Sequence, residues 1–141
     1  MVLIYICINS DACLIDEGDT FLVTGGPDLT NLKRVSRYSQ SSWVEDLGDL
    51  NSGRYNHACG WFTDTGGRRV RENITVKESS KLLIQVNIVV GGLDDSHESN
   101  LDSVEVNVAG ENSWSYGKPL AKPLRDLRGV TIMSQFYITG R

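Results

Sequence analysis

The chain has 141 residues, of which 40% are hydrophobic and 23% charged, and a net charge of −4. That is enough for one domain with its own core, and the composition is not that of a disordered chain. No basic footprint for nucleic acid is present and no run approaches the roughly 20 apolar residues of a spanning helix, so neither nucleic acid nor membrane is expected as a partner.

Taken in chain order, Met1–Ile8 is an unbroken apolar run without basic residues before it and without a small-x-small cleavage site. It reads as a strand within an N-terminal segment 1–11, with an export sequence as the alternative. Cys7, Cys13 and Cys59 are odd in number and lack metal-ligand spacing. They read as buried free thiols in a reducing compartment, hence a cytoplasmic protein. Strands are expected at 21–25, 32–38, 43–46, 57–63, 88–91, 101–108, 130–133 and 136–139, with no helix longer than about two turns.

Three of these strands end alike, at Phe21–Gly26, Ile88–Gly92 and Phe136–Arg141. Each is a β-branched or aromatic run closing on glycine, which suits a buried strand entering a tight turn. The first two are followed by Asn31–Val35 and Asn100–Val104, both Asn-Leu-x-x-Val, then by Trp43 and Trp114. Leu50–Arg54 and Leu120–Arg125 follow in turn. Gly91 and Gly140 stand 49 residues apart, whereas Gly25 and Gly91 stand 66 apart, an excess of 17. Segment 71–87 holds 17 residues and is read as surplus to the repeat, with 71–80 expected as an exposed excursion and 82–87 as an extension, beyond the blade edge, of the strand that begins at Ile88.

A period near 50, with a Gly-Gly strand and a later tryptophan, resembles the kelch repeat, in which each copy is one four-stranded blade of a β-propeller. The resemblance implies an all-β fold of antiparallel four-stranded blades, an incomplete propeller of about two to two and a half blades over 12–141. The blade segments would be about 21–46 and 57–116, with another starting at 125–141. Strand Trp114–Tyr116 would close the second blade. The motif positions are Gly25, Gly26, Tyr38, Trp43, Gly91, Gly92, Trp114 and Gly140, with Asn107 standing where Tyr38 stands in the first copy. Both tryptophans are expected to be largely buried on corresponding strands.

The resemblance also implies a non-catalytic protein-interaction module without a cofactor, binding a protein or peptide through its loops, with self-association as a further option for an open ring. Arg54 and Arg125, each read as opening a blade, are the binding candidates, because the guanidinium fork suits carboxylates and aromatic faces. Hydrogen bonding within the blade is the alternative for Arg54. Asp28, Asp94 and Asp95 lie in the loops expected to share that face. A copper-oxidase propeller of the galactose-oxidase kind is the enzyme alternative, opposed by a chain with only two histidines, His57 and His97. A truncated or mispredicted fragment is the third reading.

Overall fold

The computed structural model describes residues 12–25, 32–39, 42–44, 48–64, 83–94 and 99–140. Among them are ten strands and no helix. The first sheet is β1 (Cys13–Asp16), β2 (Phe21–Thr24), β3 (Val35–Ser39) and β4 (Ser42–Val44). The second is β5 (Ala58–Asp64), β6 (Ile84–Val90), β7 (Val104–Val108) and β8 (Ser115–Tyr116), and the third is the hairpin of β9 (Arg128–Ile132) and β10 (Gln135–Thr139). Every pairing is antiparallel, and both larger sheets keep their strands in sequence order. The N-terminal strand expected within 1–11, Gly26 and most of 71–87 lie outside the described residues.

Neighbouring residues on a strand point to opposite faces, and the second sheet uses both. Cys59 and Val89 join Ile15, Leu22, Val35, Leu50 and Trp114 in one apolar cluster toward the first sheet. Ala58 and Val90 join Val104 and Leu127 in another toward the third, where Phe136 also packs. Phe136 lies over Gly60 and Gly129, whose missing side chains leave room for its ring. The first strands of the three sheets lie side by side, β1 next to β5 and β5 next to β9. Thr131 ties the latter two: its Oγ1 donates to Trp61 O (2.8 Å) and accepts from Trp61 N–H (3.1 Å).

Three expectations change. First, β1 is an additional strand ahead of the glycine-ended one, paired Cys13 to Thr24 through Asp16 to Phe21. Second, 84–87 does extend the strand, but inside the sheet and not as surplus beyond its edge, because Ile84 opposes Asp64 and Val86 opposes Phe62 within one continuous strand. Val86 and Asn87 are fully buried, so deleting 71–87 would remove core. Third, only one of the two tryptophans is buried, with Trp114 7% exposed and Trp43 48%.

The tryptophans nevertheless occupy matching positions. Trp43 opposes Tyr38 and stacks edge-on against it at 5.2 Å, and the β7–β8 register places Trp114 opposite Asn107. Trp114 faces the first sheet, while Trp43 lies on the side of the first sheet where no described sheet packs. Burial therefore follows from the neighbour and not from the motif. Trp114→Ala should lower stability by about 3–5 kcal/mol, and Trp43→Ala by roughly 1 kcal/mol or less, in parallel urea titrations. Equal losses would contradict this arrangement.

Candidate binding surface

The connections between second and third strands, and those leading from a fourth strand to the next sheet, emerge at one end of the sheets. The same backbone ladder forms there twice. Gly25 N–H donates to Arg34 O (3.1 Å), Leu50 N–H to Lys33 O (2.8 Å) and Arg54 N–H to Leu32 O (3.2 Å). In the next copy Gly91 N–H donates to Ser103 O (3.0 Å), Leu120 N–H to Asp102 O (2.8 Å) and Leu124 N–H to Leu101 O (3.1 Å). Gly25 and Gly91 take φ of +67° and +59°, and a Cβ on them would come within 2.7 Å of Arg54 O and 2.8 Å of Leu124 O. Only glycine meets both demands.

This ladder corrects the pairing of the two arginines: Leu124, not Arg125, is the counterpart of Arg54. Two residues on, Asn56 and Asp126 share a φ of 51°, and one further His57 stands where Leu127 stands. His57 meets the Cβ position of Gly25, as Leu127 meets that of Gly91.

Arg54 is 0% exposed. Its Nη1 donates to Gly91 O and Ser103 O, both at 3.0 Å, and its Nη2 to Ser103 Oγ (3.0 Å) and Glu105 Oε1 (2.7 Å). Glu105, also fully buried, accepts in addition from Asn51 N–H (2.7 Å) and Ser52 N–H (2.9 Å). Burial lowers the affinity of the guanidinium for its proton, and Glu105 opposes the shift. The arrangement pins the 50–54 connection to the middle of the second sheet. Of the two roles considered for Arg54, this is the internal one, and it leaves no surface for a ligand.

His57 is buried between the glycine turns, with Nε2 2.9 Å from Thr24 Oγ1 and Nδ1 without a hydrogen-bond partner among the described residues. Burial, reinforced by the nearby Arg54 charge, pushes its pKa down to about 3. It is neutral at ordinary pH and bridges the first sheet to the second. A second buried polar link runs through Glu17, which accepts from Arg37 Nε (3.1 Å) and Asn87 Nδ2 (2.8 Å).

The remaining candidates sit differently. Arg125 is exposed, with its Nε 3.7 Å from Asp126 Oδ2. Asp94 is half-buried and shapes its own loop: its N–H donates to Ser99 O (3.1 Å) and its Oδ1 accepts from Ser99 N–H (3.4 Å). Asp28, Asp95 and His97 lie outside the described residues. Gly92, at φ +100°, supports the same turn: its N–H donates to Leu124 O (2.9 Å), and the next residue, Leu93, bridges to Tyr55. Gly140 packs against Leu127. The described surface at this end includes Asp94, Arg125 and Asp126 along with exposed Lys33 and Asp102, and Ser52 Oγ lies 2.6 Å from the hydroxyl of exposed Tyr116. Among the described residues no group of three or more His, Cys, Asp or Glu side chains is placed to hold a metal ion.

No protein-family model and no curated protein matches the chain. Among solved structures, the one titled "Structure of YjhT" superposes with a TM-score of 0.62 at 14% sequence identity, over 91% of this chain and 37% of YjhT. YjhT is a propeller-like protein. The fold is propeller-like and incomplete. At that identity the likeness concerns fold alone, and the chain spans little more than a third of the length of YjhT.

Proposed function

We propose that this chain is part of a kelch-type propeller and serves as a non-catalytic protein-interaction module, meeting a protein or peptide at the loop end that carries Asp94, Arg125 and Asp126. The observation that supports this most is the division of charge at that end. Arg54 and Glu105 are committed to internal bonds, while Arg125 and Asp126 are exposed on a connection held by the repeated ladder. A scaffold that fixes its loops from beneath leaves the loop side chains free to vary with the partner. Asp28 and Asp95 belong by sequence to the two strand-to-strand connections of the same end. The Arg125–Asp126 pair is open to water and holds the guanidinium only weakly, so its donor fork is available to a carboxylate. A second reading, self-association, draws on Val130, Ile132 and Tyr137, each about half-exposed on the face of the third sheet turned away from the second.

An acidic peptide array probed with the wild-type chain and with Arg125→Glu tests the first reading. Binding should fall about tenfold or more, with an unchanged melting temperature. Acidic peptides that bind both chains equally would remove Arg125 from the surface. Failure of every peptide to bind the wild type would set the acidic-ligand reading aside.

A further inference from the structure

Cys13 and Cys59 are not free thiols: the structure joins them in a disulfide, with Cα atoms 5.9 Å apart and a sequence separation of 46. Cys13 begins β1 and Cys59 lies in β5, the first strands of two different sheets. No backbone ladder joins those sheets, so the disulfide is a covalent link across their seam. Cys59 is buried in the apolar cluster that fills this seam, and Cys13 packs against it. Its Cys59 half is buried, which limits access of soluble thiols to that sulfur, while Cys13 is partly exposed.

We propose that Cys13–Cys59 is a permanent structural crosslink acquired in an oxidising compartment, with Cys7 left as the odd thiol. Structural disulfides persist in secreted, periplasmic or lumenal proteins and are rare where thiol reductants are maintained. This places the chain outside the cytoplasm, contrary to what three cysteines without spacing suggested. The oxidant is the disulfide of an oxidised dithiol carrier. One cysteine thiolate attacks a carrier sulfur, the carrier S–S bond breaks and a mixed disulfide forms. The second cysteine thiolate then attacks the chain's own sulfur in that intermediate and expels the carrier thiolate. Two electrons pass to the carrier, which ends as a dithiol, and the two protons lost by the cysteines balance it.

The test uses wild-type chain directed through a secretory or periplasmic route and purified without reductant. Thiol titration after unfolding should find one thiol per chain before reduction and three after, and proteolysis should yield a single linked pair of peptides containing Cys13 and Cys59. Reduction should lower the melting temperature by roughly 10 °C, and Cys7→Ser should change neither the linkage nor the melting. A double Cys13→Ser, Cys59→Ser variant should melt where reduced wild type does. Three thiols before reduction, a linkage through Cys7, or unchanged melting on reduction would each overturn the proposal. None of these readouts depends on partner binding.

Discussion

Replacing Arg54 with alanine should lower stability by about 3–5 kcal/mol, read as a reduced urea midpoint. The loss is large because the substitution leaves Glu105 as a buried carboxylate without its counter-charge, held only by the neutral donors of Asn51 (backbone N–H and Nδ2) and Ser52 (backbone N–H). It also strips donors from the carbonyls of Gly91 and Ser103. Arg54→Lys should recover little of it. One ammonium cannot reach Gly91 O, Ser103 O, Ser103 Oγ and Glu105 from a single point, whereas the planar fork does so in one rotamer. A loss below about 1 kcal/mol for Arg54→Ala would mean that the pair stabilises nothing beyond its own desolvation. Any effect of Arg54 on partner binding should therefore accompany loss of structure, whereas Arg125 should alter binding alone.

Stability should fall steadily as pH is lowered from 6.5 toward 3, with a slope near 1.4 kcal/mol per pH unit attributable to His57. In the folded chain its imidazole stays neutral down to about pH 3, because burial and the Arg54 charge oppose protonation. In the unfolded chain it takes up a proton near its ordinary 6.5. Between those values the unfolded state binds the extra proton, so acid favours unfolding and the stabilising contribution is complete only above about pH 6.5. His57→Leu, which copies Leu127 at the equivalent position, should flatten the slope in this window. Its stability at neutral pH also reports the cost of leaving Thr24 Oγ1 without its partner. An unchanged slope in His57→Leu would show that other groups set the acid limit.

The strands that end in glycine and the Asn-Leu-x-x-Val strands after them were legible in the sequence because their signals are local. Strand β1 was not, since Cys13–Asp16 is only four residues long and lacks the closing glycine that marks the repeated strands. The available cue was Glu17–Thr20, a turn in which Gly18 N–H donates to Asp16 Oδ1 at 2.7 Å. The excess between the glycine pairs could be counted from their spacing but not bounded, because the spacing does not say where strand resumes. The pairing of Asp64 with Ile84 returns the last four residues of that segment to the sheet. Arg125 was matched to Arg54 by residue identity. Distance from the preceding leucine is the better guide, because Leu50 to Arg54 and Leu120 to Leu124 both span four positions. The Glu105 partner of Arg54 and the cysteine pairing depend on which strands become neighbours, and no local pattern carries that.

The disulfide makes the two seams of the molecule unlike in their response to cold. The seam between second and third sheets combines Leu127, Val90, Val104 and the ring of Phe136 over bare backbone with the Thr131–Trp61 and Thr63–Ser134 hydrogen bonds. The apolar contacts owe their strength near room temperature to the release of ordered water, and they fade on chilling. The seam between first and second sheets adds to its apolar cluster the Thr24–His57 bond, the Glu17–Asn87 bond and a covalent bridge. Those additions do not draw on water release. Both seams therefore hold polar bonds beside apolar ones, and what sets the first apart is its covalent bridge, which keeps the two larger sheets tethered when chilling weakens the apolar contacts of either seam.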